Sequence, residues 1–217
     1  MKKTQAYKII KQMIMRNRFT QKQLIDINQL AKELNMSRTP IQKALTQLEQ
    51  EGYVTITPQV GVFIKLPTLD ELHERLAVVV AIDVYMAQCA AKFITKEQLK
   101  KISNILDLME NVESEMEYEQ LDHQFHRIIY QSSNNNYAFN LNKSNWDYLR
   151  YVRFTNEIFK DKFREQSQLE HRLIVQALQE RDVILVRDLM ERHLRRAEGL
   201  VIDEYRLSKT ANLIVEK

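Results

Sequence analysis

Glycine and proline are scarce in this chain, three of each in 217 residues. That leaves little turn chemistry for a many-stranded sheet and predicts a mostly helical protein. The same scarcity argues against glycine-rich phosphate loops and dinucleotide turns, and no serine nucleophile sits in a strand-to-helix elbow. Cysteine is rarer still. Cys89 stands alone, so no disulfide framework is possible and a reducing cytoplasm is the expected home. Apolar residues in the basic start, MKKTQAYKIIKQMIMRNRF, are interrupted every few positions, unlike those of a signal peptide. No stretch reads as approaching the roughly 20 apolar residues that cross a bilayer. The expectation is a soluble protein without a membrane partner.

What charge there is lies unevenly. Residues 1–66 hold 11 Lys/Arg against 4 Asp/Glu, whereas residues 67–217 hold 21 against 25. A basic module is thus joined to a mildly acidic one. Basic charge at one end suits a polyanionic partner, because neutralised phosphates release counterions.

In the basic module, Tyr7, Ile9, Ile10, Met13 and Ile14 recur at helical spacing and predict a helix over roughly 5–16. Asp26 is placed to cap a second helix, with Gln29 three residues on and Leu30, Ala31 and Leu34 as its buried face. Ser37 is placed to cap a third, in whose first turn Pro40 is tolerated. Ile41, Leu45 and Leu48 form the inward stripe of that helix and Gly52 ends it. Two short helices across a tight turn are the helix-turn-helix pattern. Tyr53–Ile56 and Val62–Ile64 then read as strands of a hairpin, a wing, with Pro58 and Gly61 in its turn.

The run QLAKELNMSRTPIQKALTQLEQEGYVTITPQVGVFI resembles the DNA-binding domain of the GntR family of bacterial regulators. The resemblance implies that Ser37, Arg38 and Thr39 face the major groove, with Arg38 the reader of guanine, and that Gly61 lets the wing tip approach the minor groove. Lys43 lies on the same helix. Two positions depart from the family pattern, Asn28 and Gln42. Gln42 stands where a second base-reading arginine is usual, and glutamine suits adenine better than guanine.

The joint at Pro67–Thr68 leads to a region that reads as helices only, over 69–93, 95–112, 115–132, 136–160, 163–180 and 183–205. The fold class expected is mainly α. A winged helix-turn-helix with a small β-hairpin occupies 1–66, 67–68 is a linker, an antiparallel all-helical bundle fills 69–205, and 206–217 is a tail. Met86, Phe93, Leu106, Met109, Phe125, Trp146, Tyr148 and Phe154 read as core packing. Within the bundle, Asp122 and His126 share one helical face while His123 points elsewhere, and His171 and His193 lie beside apolar stripes. Three imidazoles and a carboxylate suit a borderline divalent cation such as zinc, nickel or manganese, with positions left for a ligand. Spacing alone does not say whether the helices bring them together.

The bundle in turn resembles the FCD effector-binding domain of the FadR subfamily, through Asp122-His123-Gln124-Phe125-His126, the run Glu170–Leu178 and His193-Leu194. The resemblance implies that Asp122, His126, His171 and His193 bind the metal, zinc being the first choice, and that a small organic acid completes its shell. Arg150 and Arg153 are candidates to neutralise that acid. The function expected is a homodimeric, ligand-responsive repressor on a palindromic operator, since one recognition helix contacts too few bases for useful specificity. Two alternatives stay open: a metal-free regulator that takes an acyl ligand, and a metal-dependent hydrolase fused to a DNA-binding head, with Glu119 or Glu170 as the only nearby bases.

Overall fold

The computed structural model describes residues 2–19, 23–155 and 164–215. Contacts divide the chain into two units, Met1–Glu71 with Asp147–Thr155, and Leu72–Trp146 with Asn156–Lys217.

The first unit begins with α1 (Lys2–Met15), which buries Ala6, Ile10 and Ile14. α2 (Ile27–Glu33) starts at Asp26, whose carboxylate accepts the backbone N–H groups of Asn28 and Gln29. It closes through Asn35, at φ 49: Met36 N donates to Ala31 O and Asn35 N to Lys32 O. This paired closure fixes the tight turn into α3 (Arg38–Gln50). Ser37 occupies the cap position of α3 but, against expectation, its side chain makes no capping bond. α3 buries Ile41, Ala44, Leu45 and Leu48, packs on α1 and α2, and closes on Gly52 (φ 90) in the same way as α2.

β1 (Val54–Thr57) and β2 (Gly61–Ile64) pair antiparallel, with Val54 opposite Ile64 and Thr57 opposite Gly61. At the tip, Val60 N donates to Thr57 O and Gln59 takes φ 63 behind Pro58, the pattern of a type II turn. Glu49 accepts the N–H of Ile56 and so ties the recognition helix to the wing. The segment before α2 adds a contact that the sequence did not announce: Leu24 bridges Phe63 and Ile25 N donates to Val62 O. Farther along the chain, Tyr148 and Tyr151 lie with ring centroids 5.3 Å from that of fully buried Tyr53.

The second unit is helical: α4 (Leu69–Phe93), α5 (Lys96–Asn111), α6 (Glu115–Gln131), α7 (Asn136–Thr155), α8 (Arg164–Glu180) and α9 (Val183–Val215). α4 begins in the first unit and α7 ends there. Thr68, Thr95, Ser114 and Asp182 accept backbone N–H groups at the starts of α4, α5, α6 and α9. Two arginines close helix ends. Arg181, itself at φ 57, donates to the carbonyls of Ala91, Lys92 and Ile94 after α4, and Arg164 donates to those of Met109 and Val112 after α5. Cations at helix C-termini also oppose the helix dipole.

α5 packs on α6 and α8, and α8 on α9, around a core that includes Met86, Ile102, Met109, Phe125, Ile174, Leu178 and Met190. Helix α9 runs on to Val215, through the segment 206–217 read from sequence as a tail. The expected continuation of α7 over 156–160, and the first residue of 163–180, lie outside the described residues. By length and composition α4 could cross a membrane, so the sequence reading that no stretch approaches that length is corrected. Its apolar face is spent on the core instead, with Leu72, Leu76, Val79, Val80 and Met86 buried; Phe93, expected in the core, is its last residue and is exposed.

Candidate metal centre and DNA-reading face

Ser37, Arg38, Thr39, Gln42 and Lys43 are all exposed, on the N-terminal half of α3. The residues between them that pack inward, Ile41 and Ala44, are fully buried. The helix therefore presents a polar edge of side chains that can reach base edges and phosphates, on a rigid support. Gly61 has a packing role beside any at the wing tip: at φ 149 a Cβ would be strained and would collide with the Leu24 side chain.

In the second unit, α6, α8 and α9 each bring one imidazole to a common point. The Nε2 atoms of His171 and His193 lie 3.2 Å apart, as do those of His193 and His126. Asp122 Oδ1 stands 3.5 Å from His171 Nε2 and 3.8 Å from His126 Nε2. His171 is fully buried and His193 nearly so, His126 is partly exposed, and Asp122 is the most accessible of the four. His123 is not part of the cluster. Nitrogen ligands bonded at 2.0–2.1 Å in a tetrahedral shell stand about 3.3 Å apart, so the spacing is that of a coordination shell.

The partners of Nδ1 in His193 and His126 point the same way. Glu170 Oε2 lies 2.7 Å from His193 Nδ1 and accepts its proton, which leaves the Nε2 lone pair facing inward. Tyr130 hydroxyl lies 3.3 Å from His126 Nδ1 and is also bonded to the Asp83 carboxylate. A hydroxyl that donates to Asp83 accepts from His126 Nδ1, again baring Nε2. Bare nitrogens this close repel one another unless a cation lies between them. Burial, and the charges that His193 and His126 would carry, hold the His171 pKa well below its usual value, so His171 too is neutral and competent to ligate. The donor set fits a borderline divalent cation.

Two supporting groups were not singled out from sequence. Asp83, buried on α4, receives hydrogen bonds from Asn142 Nδ2 (2.8 Å) and Trp146 Nε1 (3.0 Å), yet burial still raises its pKa to about 7. Arg196 holds Glu170 with Nε and Nη2, at 2.9 and 2.6 Å. Position could have flagged Arg196, one turn after His193, and Tyr130, one turn after His126, through which Asp83 reaches the site; nothing in the sequence flags Asp83 itself. Arg150 and Arg153 fall in the unit that carries the reading head, whereas the histidines lie in the other. Arg150 is half-exposed and stands 3.7 Å from Asp147 on its own helix, which gives it a partner other than an effector.

Residues 74–196 match the family described as FCD domain, and residues 2–64 match bacterial regulatory proteins, gntR family. The chain is 25% identical over 198 residues to the HTH-type transcriptional repressor RspR of Escherichia coli, an alignment covering 88% of this chain and 85% of that one. It is 24% identical over 183 residues to the uncharacterized HTH-type regulator YdhC of Bacillus subtilis, covering 82% and 81%. Among solved structures, E. coli McbR/YncC superposes with a TM-score of 0.74 at 18% identity, over 94% of this chain and 99% of that one. A GntR regulator from Rhodococcus sp. RHA1 gives 0.70, also at 18%, over 93% and 97%. At such identity the structures establish the fold alone. The curated relatives are transcriptional regulators, not enzymes.

Proposed function

This chain belongs to the gntR family of bacterial regulatory proteins and carries an FCD domain, and we propose that it is a metal-dependent, effector-responsive repressor. That it is a DNA-binding transcriptional regulator follows from the family. The observation that carries the rest is the convergence of three imidazole Nε2 atoms, two of them 3.2 Å from the third, with partners at His193 and His126 that leave their lone pairs facing inward.

Asp122, His126, His171 and His193 hold one divalent ion, zinc in the first instance, and the ion supplies a Lewis-acidic anchor for the carboxylate of a small organic acid. Ser37, Arg38, Thr39, Gln42 and Lys43 read or grip the operator, with Gly61 setting the wing. Two chains act together, in the cytoplasm, on a palindromic site. Supporting a dimer, Val78 and Tyr85 on α4 and Tyr137 and Leu141 on α7 are exposed apolar side chains of the second unit, the kind of surface that marks an interface. RspR is a named repressor, which supports that sign of control. The effector acts only as far as it binds the DNA-free arrangement better than the DNA-bound one.

Selection of duplexes from a random library tests the head: the wild-type protein enriches an inverted repeat and Arg38→Ala does not. Enrichment of the same repeat by the variant would remove Arg38 from the reading set.

A further inference from the structure

The boundary between the two units falls on a single peptide bond inside α7, between Trp146 and Asp147. Neighbours on a helix point in different directions, and these two bind different elements. Trp146 Nε1 donates to both oxygens of buried Asp83, each at 3.0 Å. Its ring stacks on that of Tyr130, with centroids 5.3 Å apart and planes 17° from parallel. Because the Tyr130 hydroxyl stands 3.3 Å from His126 Nδ1, Trp146 is one side chain removed from a proposed metal ligand.

Asp147 works within the first unit. Its Oδ2 accepts from Lys11 Nζ at 3.1 Å, and the same ammonium donates to Glu51 Oε2 at 3.3 Å. Glu51 is the residue on which α3 ends, and it also accepts from the Tyr7 hydroxyl at 2.8 Å and from Gln47 Nε2 on α3. The Lys11 side chain is only 14% exposed, so this hub is shielded from water and salt far more than a surface ion pair is. Lys11 Nζ lies 5.1 Å from the centroid of the Tyr53 ring, the ring that Tyr148 and Tyr151 close off. Two carboxylates from different helices thus share one ammonium. A displacement of Asp147 weakens one bond of that pair and frees Lys11 to strengthen the other.

We propose that Trp146 and Asp147 are the positioning residues through which the histidine cluster and the recognition helix sense one another, with Lys11 as the receiving group. The proposal rests on the metal reading for its input. His126, once ligated, holds the Tyr130 hydroxyl in one orientation. Tyr130 and Asp83 between them fix the Trp146 indole, and one helix carries any adjustment there to Asp147. Lys11 then tightens or relaxes its hold on Glu51, the residue that closes α3. The coupling is reciprocal, so duplex binding at the head must act back on Trp146.

The test uses full-length protein purified without chelator, its zinc content measured, and an inverted-repeat duplex enriched by the wild type. Trp146 is the sole tryptophan of the chain and serves as the reporter. In anisotropy titrations, duplex affinities of zinc-loaded and zinc-stripped wild type differ at least about five-fold. Asp147→Ala and Lys11→Met each bring that ratio to within about two-fold of unity, and the double variant changes it no further. Zinc affinity without DNA stays at the wild-type value. Adding duplex shifts Trp146 emission in wild type and not in Asp147→Ala, whereas adding zinc to stripped protein shifts it in both. A contact that only stabilised the head would lower the melting temperature of the variants and leave both responses in place. Equal duplex affinities with and without bound zinc, a ratio preserved in Asp147→Ala, or emission unmoved by duplex overturns the proposal. So does loss of duplex binding by Asp147→Ala in both zinc states. Wild-type protein that binds no zinc would defeat the metal reading separately, and the emission response to duplex, which needs no metal, would still decide the role of the junction.

Discussion

Removing the Glu170 carboxylate should loosen the metal without touching a ligand. Glu170 lies 2.7 Å from His193 Nδ1 and is itself gripped by Arg196 at 2.6 Å. Burial works against its ionised form, but the hydrogen bonds and charges of His193 and Arg196 outweigh it and hold the carboxyl at about 2. Against the ordinary value of 4.5, that corresponds to about 3 kcal/mol as a ceiling. Part of the side chain remains within reach of water, so screening brings the stabilisation nearer to about 1–2 kcal/mol. Because the folded pKa is depressed, this stability is present above pH 4.5 and is lost as pH falls toward 2. Glu170→Ala should therefore lower metal affinity by about 10–100-fold, the usual cost of losing a partner of a ligating histidine. Glu170→Gln, which can still accept from Nδ1, should lose less. Competition against a chromophoric chelator at pH 7 measures both. If Glu170→Ala held metal within about two-fold of wild type, His193 would not depend on its carboxylate and the tautomer argument would fail.

Other consequences can be measured in the same protein. Asp83→Asn should remove a pH dependence from stability: the raised pKa means that ionisation penalises the folded state increasingly between about pH 4 and pH 7. Urea unfolding of metal-free protein should then show wild type losing ground to the variant between pH 5 and pH 8, and a constant difference would contradict the assignment. Arg38→Ala should cost about 1–3 kcal/mol of operator affinity with the melting temperature unchanged, as anisotropy and calorimetry would report. Gly61→Ala should destabilise the head by about 1–3 kcal/mol through its collision with Leu24 and its strained backbone. An unaltered melting temperature would show that Leu24 can move aside.

The sequence announced most of the fold because local chemistry determined it. Asp26, Thr95 and Asp182 each carry a side-chain oxygen at a helix start, and Gly52 supplies the positive φ that closes α3. The extension of α9 to Val215 was harder to read. No glycine or proline interrupts it after Gly199, but its apolar spacing weakens, and spacing was the signal in use. Arg150 and Arg153 were read from the face they occupy, and helical periodicity does not say which half of a long helix belongs to which unit. His126, His171 and His193, which the fold brings together, were singled out with Asp122 by the resemblance to the FCD domain, because spacing within single helices does not say which helices meet.

Elemental analysis of full-length protein purified without chelator addresses the metal centre most directly. Wild-type protein should carry about one divalent ion per chain, the stoichiometry of a single four-donor site, and a His171→Ala/His193→Ala double variant should carry none. Metal-free wild-type protein whose melting temperature is unmoved by zinc, nickel or manganese would contradict it, as would full occupancy in the double variant.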